Sequence, residues 1–254
     1  MVRKRTSTIS EFDVVIVGAG SAGCIVAGKL AEETNLSILV LEAGGTDIRP
    51  DIKVPIGYGM SFFNSNVNWC YSSSPQKNLG NRELYVPRGK VVGGSGSINA
   101  MVYLRGQKND FNDWASFSGA DIGWESARKT YDYIEGIVSN SNRQRLYVSD
   151  VSGQHEEMTK NFLKAGNELG FQRNRNLNGV SSEGIGSYPL NTRNGFRWTS
   201  SDGFLKPTMN KKNIKLIRNA HVTKVLISKR RVTGIEFMQG NTLRQVSVRR
   251  GAIL

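Results

Sequence analysis

Residues 12–23 read Phe12-Asp13-Val14-Val15-Ile16-Val17-Gly18-Ala19-Gly20-Ser21-Ala22-Gly23, and residues 36–42 read Leu36-Ser37-Ile38-Leu39-Val40-Leu41-Glu42, with an amphipathic stretch between them. The order is strand, glycine turn, helix and second strand ending in an acid, the pattern that holds a dinucleotide by its pyrophosphate and its ribose. The run Val14–Val17 is β-branched throughout, as in a strand buried on both faces of a parallel sheet. Gly18 permits a tight turn, Gly20 lets the backbone approach a phosphate, and Gly23 lets the helix pack on the strand. Ser21 and Ala22 open the helix and present unpaired N–H groups and positive dipole to the pyrophosphate. Glu42 stands where a carboxylate accepts from ribose hydroxyls and repels a phosphorylated ribose. A lone G-x-G-x-x-G is a weak signal, and a glycine turn that binds nothing is its competing reading. The flanking strand, helix and acid favour binding.

Composition narrows the class. The chain has 254 residues, enough for one large or two smaller domains, and 28 glycines. Its two cysteines, Cys24 and Cys70, are too few for a disulfide framework, and Cys24 reads as a small core residue of the first helix. The basic N-terminus, Arg3-Lys4-Arg5, is followed by no apolar segment before the first strand, so no secretory signal is read there. No run approaches a membrane span. A cytoplasmic location is expected, with peripheral association at a membrane surface as the variant. The net charge of +13 is spread over short groups such as Lys211-Lys212, Lys229-Arg230-Arg231 and Arg249-Arg250. Without a nucleic-acid motif beside them, these read as solvated surface that steers an anionic cofactor or membrane, and no nucleic-acid partner is expected.

Residues 87–106 carry a second glycine cluster, Pro87-Arg88-Gly89-Lys90-Val91-Val92-Gly93-Gly94-Ser95-Gly96-Ser97-Ile98-Asn99-Ala100-Met101-Val102-Tyr103-Leu104-Arg105-Gly106. From Gly89 to Asn99 it matches, without a break, the first signature of the glucose-methanol-choline (GMC) family of FAD-dependent oxidoreductases. The chain resembles that family further at Asn68-Trp69, Tyr71, Pro75-Gln76, Asp110-Phe111, Trp114, Gly123-Trp124, Asn178-Gly179, Glu183–Gly186, Arg197–Leu205 and Pro207, and at Asn213–Leu216 with Ala220–Val225. Choline dehydrogenases and bacterial alcohol dehydrogenases look nearest, and the resemblance covers about the whole chain.

The resemblance implies an α/β fold, a Rossmann-like FAD-binding domain with part of an α+β substrate domain, incomplete at the C-terminus. Residues 11–45, 85–110 and 198–254 would form a discontinuous FAD-binding domain. Residues 46–84 would form a loop-rich lid, and 111–197 a partial substrate domain. Gly18, Gly20, Ser21, Ala22 and Gly23 would hold the pyrophosphate and Glu42 the adenosine ribose. Val91, Ser95, Asn99, Ala100 and Val102 would line the flavin and its ribityl chain, and Val222 would meet adenine through its backbone. Some relatives place at position 99 a histidine bonded covalently to the flavin; an amide cannot form that bond, so a dissociable FAD is expected.

Among local elements, 111–137 reads as helical, Glu156–Leu169 as a helix stopped by Gly170, and 185–192 as an alternating strand. Val222–Ser228, Val232–Met238 and Leu243–Val248 read as a small antiparallel meander inserted in the FAD domain.

Oxidising an alcohol by flavin needs a base near the flavin N5. The family supplies a histidine with a second histidine or asparagine from a C-terminal segment. Neither His155 nor His221 matches those positions, so no catalytic residue and no metal ligand is assigned. Arg249–Leu254 resembles the strand just before the family's second signature, so the catalytic pair is expected beyond Leu254. The expected function is the cofactor-gripping portion of an oxidoreductase that converts an alcohol, choline being a candidate, to an aldehyde with hydride transfer to FAD and electrons passed on to an acceptor. The alternative is an inactive FAD-binding scaffold. A different FAD or NAD enzyme sharing only the first motif is disfavoured by the Gly89–Asn99 match.

Overall fold

A computed structural model describes residues 7–136, 145–179 and 181–254. Two compact units are present, one comprising the chain up to Ala100 with Gly195–Leu254, the other Met101–Asn194. The basic triplet Arg3–Arg5 lies outside the described residues.

The first unit is built on a six-stranded sheet. Strand β1 (Ser7–Val17) leads through the glycine turn into helix α1 (Ser21–Glu33) and back into β2 (Ile38–Leu41). β1 and β2 are parallel, with Val14 opposite Ile38 and Val17 opposite Leu41. Along β1 the side chains alternate between two cores. Val14 and Ile16 pack with Cys24, Ala27 and Ala31 of α1, whereas Val15 packs with Leu39, Leu41, Ile235 and Phe237. The unbroken β-branched run is therefore needed because both faces are covered. Gly23 makes the helix contact possible, since a Cβ there would lie 2.1 Å from the Gly18 carbonyl oxygen.

The other strands come from the end of the chain. In addition to α2 (Lys108–Ser118), α3 (Trp124–Ile134) and α4 (Glu157–Glu168) of the second unit, the chain forms β3 (Ile214–Ile217), β4 (Ala220–Ser228), β5 (Arg231–Gln239) and β6 (Thr242–Ile253). The sheet order is β3-β2-β1-β6-β5-β4. β3 adds parallel to β2, and β6 runs parallel to β1 while pairing antiparallel with β5, which pairs antiparallel with β4. The expected meander is thus present but is not a separate insert. Its last strand is long enough to pair with β5 over Thr242–Ser247 and to continue along β1 as far as Ile253, so parallel and antiparallel halves share one sheet. Arg249 is satisfied in this position by Asp13, whose carboxylate accepts from its Nε at 3.1 Å and from the Ser37 amide and hydroxyl at 2.8 Å each. These bonds hold the Asp13 carboxyl down to about 2, the Ser37 amide contributing most.

Residues 46–84 contain short helical turns at Pro50–Lys53 and Tyr58–Ser61 and a two-residue strand, Tyr71–Ser72, paired with Tyr85–Val86. Ile52 and Val67 from this stretch form a small buried cluster with Val91 and Ile98.

In the second unit, the stretch expected to be helical over 111–137 holds two helices. α2 stops at Gly119, which adopts φ +65°, and α3 restarts after Gly123; Ile137 lies outside the described residues. α4 matches the expected Glu156–Leu169 helix, and Gly170 ends it at φ +90°. The alternation over 185–192 does not become a strand. Isolated bridges form at Ile185 and Leu190, and only Thr192 at its end enters a two-residue strand, Thr192–Arg193; Pro189 has no N–H to give a ladder.

Candidate functional site

Helix α1 begins directly under the glycine turn. Gly20 is its N-cap in an extended conformation, and no side chain caps it. The first helical bond runs from the Cys24 N–H to the Gly20 carbonyl at 3.0 Å, so the amides of Ser21, Ala22 and Gly23 precede the ladder. Ser21 and Ala22 are exposed. The positive end of the helix dipole and these donors make an anion site. A Cβ built on Gly18 or Gly20 meets no protein atom within 4 Å, so the turn's backbone faces open space that a ligand can enter.

The second glycine cluster is seated on this turn. The Gly93 N–H donates to the Ala19 carbonyl at 2.7 Å, and the Val92 N–H to the Gly45 carbonyl at 3.1 Å. Gly94, at φ +58°, comes so near that a Cβ would sit 2.7 Å from the Gly20 Cα. Two glycine segments some seventy residues apart in sequence therefore form one backbone-walled corner.

Glu42 closes the corner from the end of β2. It is 5% exposed, and its Oε2 accepts from the Ala19 N–H and its Oε1 from the Gly44 N–H, each at 2.8 Å. Burial raises its pKa, opposed by the Gly44 and Ala19 N–H bonds. Each carboxylate oxygen has two lone pairs, so one N–H on each leaves capacity for hydroxyl donors. Gly18, Gly20, Glu42, Trp69, His221 and Val222 share a cavity of about 320 Å³ with Gly89 and Gly94. Trp69 stacks on Tyr71 with ring centroids 5.8 Å apart and interplanar angle 6°, meets His221 edge-on at 5.3 Å, and lies under the Lys90 ammonium at 5.0 Å. The site thus combines an anion cradle, a buried carboxylate and an aromatic wall, the donor and acceptor set of a nucleotide.

Residues 12–254 match the GMC oxidoreductase family. The chain belongs to that family. Among characterised relatives, this GMC chain is 37% identical over 241 residues to an alcohol dehydrogenase [acceptor] from Pseudomonas putida, covering 92% of the chain and 44% of that protein. It is 35% identical over 249 residues to an oxygen-dependent choline dehydrogenase from Rhizobium meliloti (strain 1021), covering 96% of the chain and 45% of that protein. Among solved structures, pyridoxine 4-oxidase from Mesorbium loti superposes with a TM-score of 0.86 at 28% identity, over 93% of the chain and 48% of that structure. The GMC chain spans about half the length of the relatives it matches.

The remaining positions singled out in the GMC sequence fall as follows. Val91 is fully buried beside Ile52, Val67 and Ile98, so its side chain builds structure and only its backbone remains for a ligand. The exposed Ser95 accepts from the Gly89 N–H at 3.1 Å through its hydroxyl. Asn99 and Ala100 are exposed, and the Asn99 Oδ1 accepts from an Arg197 Nη1 at 2.8 Å. Val102 belongs to the second unit and is 44% exposed. The cleft brings together Gly18, Gly20, Glu42 and Val222. Sequence reasoning assigned no role to Trp69 or Arg197. For Trp69 the available signal was the family-like Asn68-Trp69 pair followed by Tyr71. Arg197 opens the family-like Arg197–Leu205 segment, but nothing local shows its role, since its partners come from residues 52 and 96–99. Among the described residues no helix is long and apolar enough to cross a membrane.

Proposed function

We propose that this chain is the FAD-gripping portion of a flavin-dependent oxidoreductase that oxidises an alcohol at its CH–OH carbon, with choline and simple alcohols as the candidate donors. The observation that carries this reading is the backbone-walled corner, where Gly94 sits against Gly20 beside the α1 N-terminus and Glu42. The amides of Ser21, Ala22 and Gly23 take the pyrophosphate. Glu42 accepts from the adenosine ribose, and the Trp69–His221–Val222 wall receives the base. Asn99, Ala100, Ser95 and the Val91 backbone serve the flavin end in this reading. Bound FAD supplies the acceptor for the two electrons and the hydrogen removed from the alcohol carbon. FAD held here is dissociable, because the carboxamide of Asn99 offers no nucleophilic ring nitrogen for a covalent link.

The placement of the two histidines supports the companion reading that this stretch binds cofactor without itself performing the chemistry. His221 borders the cavity at the Glu42 end, edge-on to Trp69, and His155 belongs to the second unit. Neither belongs to the Gly89–Asn99 segment, and we infer that the base that takes the alcohol proton comes from elsewhere in the whole enzyme. Anaerobic mixing of the FAD-loaded protein with choline and with primary alcohols tests the reading. Bleaching of the oxidised flavin band in the full-length enzyme, and none with residues 1–254 alone, is expected. Bleaching of flavin on residues 1–254 would overturn the separation of binding from chemistry, and failure of every alcohol to bleach the full-length enzyme would overturn the donor class.

A further inference from the structure

Arg197 is the largest fully buried side chain among the described residues, 1% exposed. Its Nε donates to the Ile52 carbonyl at 2.9 Å, one Nη1 hydrogen-bonds the Gly96 carbonyl at 3.1 Å and the Asn99 Oδ1 at 2.8 Å, and Nη2 donates to the Asn99 carbonyl at 2.7 Å. All these acceptors are neutral. Among the described residues no carboxylate pairs with this guanidinium, unlike Lys53 and Lys206, which share Asp47 and Asp202. Burial lowers its pKa to about 10, which leaves it charged at neutral pH. A buried cation without a counter-ion is costly, and neutral carbonyl dipoles offset that cost only in part. Its fork fixes both ends of the Gly96–Asn99 segment, and the bond to Oδ1 sets which way the Asn99 carboxamide points.

We propose that Arg197 is a positioning residue for the flavin that also supplies a buried, uncompensated positive charge at the Asn99 end of the site, where it favours the reduced, anionic flavin over the oxidised, neutral one. The proposal rests on the FAD reading above. Reduction here adds two electrons and one proton to the flavin, which leaves one net negative charge, and the electrons come from the titrating reductant in the test. The charge of Arg197 and its fork act separately. The charge sets the reduction potential, and the fork sets the order of the Asn99 segment.

The test is a reductive titration of the FAD-loaded protein against a reference dye, with FAD dissociation constants measured in parallel. Arg197→Gln removes the charge and part of the fork. It is expected to shift the oxidised-to-reduced equilibrium at least tenfold towards oxidised flavin, a fall of about 30 mV for this two-electron couple. Arg197→Lys keeps the charge and loses the fork, so it is expected to hold the potential within a third of that shift while weakening FAD binding severalfold. If Arg197→Gln fails to fold, Asn99→Asp serves instead, because a carboxylate at this position pairs with the guanidinium and cancels its charge; the same fall in potential is expected. An unchanged potential in Arg197→Gln or Asn99→Asp, or a fall in Arg197→Lys as large as in Arg197→Gln, overturns the proposal while leaving FAD binding intact. Wild-type protein that takes up no FAD overturns the proposal together with the reading beneath it.

Discussion

Glu42→Gln keeps the shape of a buried side chain and exchanges one acceptor oxygen for an NH₂ donor. In the native site both oxygens are used, one by the Ala19 N–H and one by the Gly44 N–H. Either orientation of the glutamine leaves a backbone N–H facing a donor. Loss of one hydrogen bond to a charged acceptor costs about 1.5–3 kcal/mol, and the orphaned amide adds to it. Removing a buried charge works in the other direction, since burial already raises the Glu42 pKa. The net expectation is a loss of about 1–3 kcal/mol in urea unfolding without cofactor. FAD affinity should fall by about 10–100-fold, since a neutral amide accepts more weakly from ribose hydroxyls and has one acceptor atom fewer. Equilibrium unfolding and flavin fluorescence quenching read the two effects independently. A variant with wild-type stability and wild-type FAD affinity would refute both the structural and the cofactor role of this carboxylate.

Gly94→Ala should weaken FAD binding more than tenfold, as a Cβ 2.7 Å from the Gly20 Cα displaces the turn and the φ of +58° adds strain of about 1–2 kcal/mol; titration with FAD measures it. Asp13→Asn tests the strand-edge network through pH. The folded carboxyl, at about 2, lies below the unfolded value near 3.9, so its stabilisation is present above about pH 4 and disappears as pH falls towards 2. The variant should therefore be less stable than wild type at pH 7 and indistinguishable from it near pH 2 in urea melts. Phe237→Ala, at a fully buried position between β1, β2 and the antiparallel strands, should cost about 3–5 kcal/mol in the same assay.

The first β-α-β unit was legible because its signals are local. The Val14–Val17 run, the glycines at 18, 20 and 23 and the acid at 42 each report a backbone or packing demand met within thirty residues. The α4 helix was legible for the same reason, from its apolar spacing and its glycine stop. What escaped depended on distant partners. Nothing local in Arg249-Arg250-Gly251 says that β6 lies between β5 and β1 and outruns its antiparallel neighbour along β1; Asp13 and Ser37, which bond Arg249, lie at the other end of the chain. The helical reading of 111–137 did not resolve the break between α2 and α3 at Gly119–Gly123. Arg197 opens a family-like segment in the sequence, but that segment does not say what the arginine does. Only its burial against Ile52, Gly96 and Asn99 marks it out.

The central claim is that the corner formed by Gly20, Gly94 and Glu42 holds FAD without a covalent bond. It is tested most directly by adding FAD to the purified protein, removing free cofactor by gel filtration, recording the flavin spectrum of the protein fraction, and then precipitating the protein with acid. The expected result is about one flavin per chain in the protein fraction, with all of it in the supernatant after acid. A protein fraction that carries no flavin, or one whose flavin stays with the acid pellet, would contradict the account.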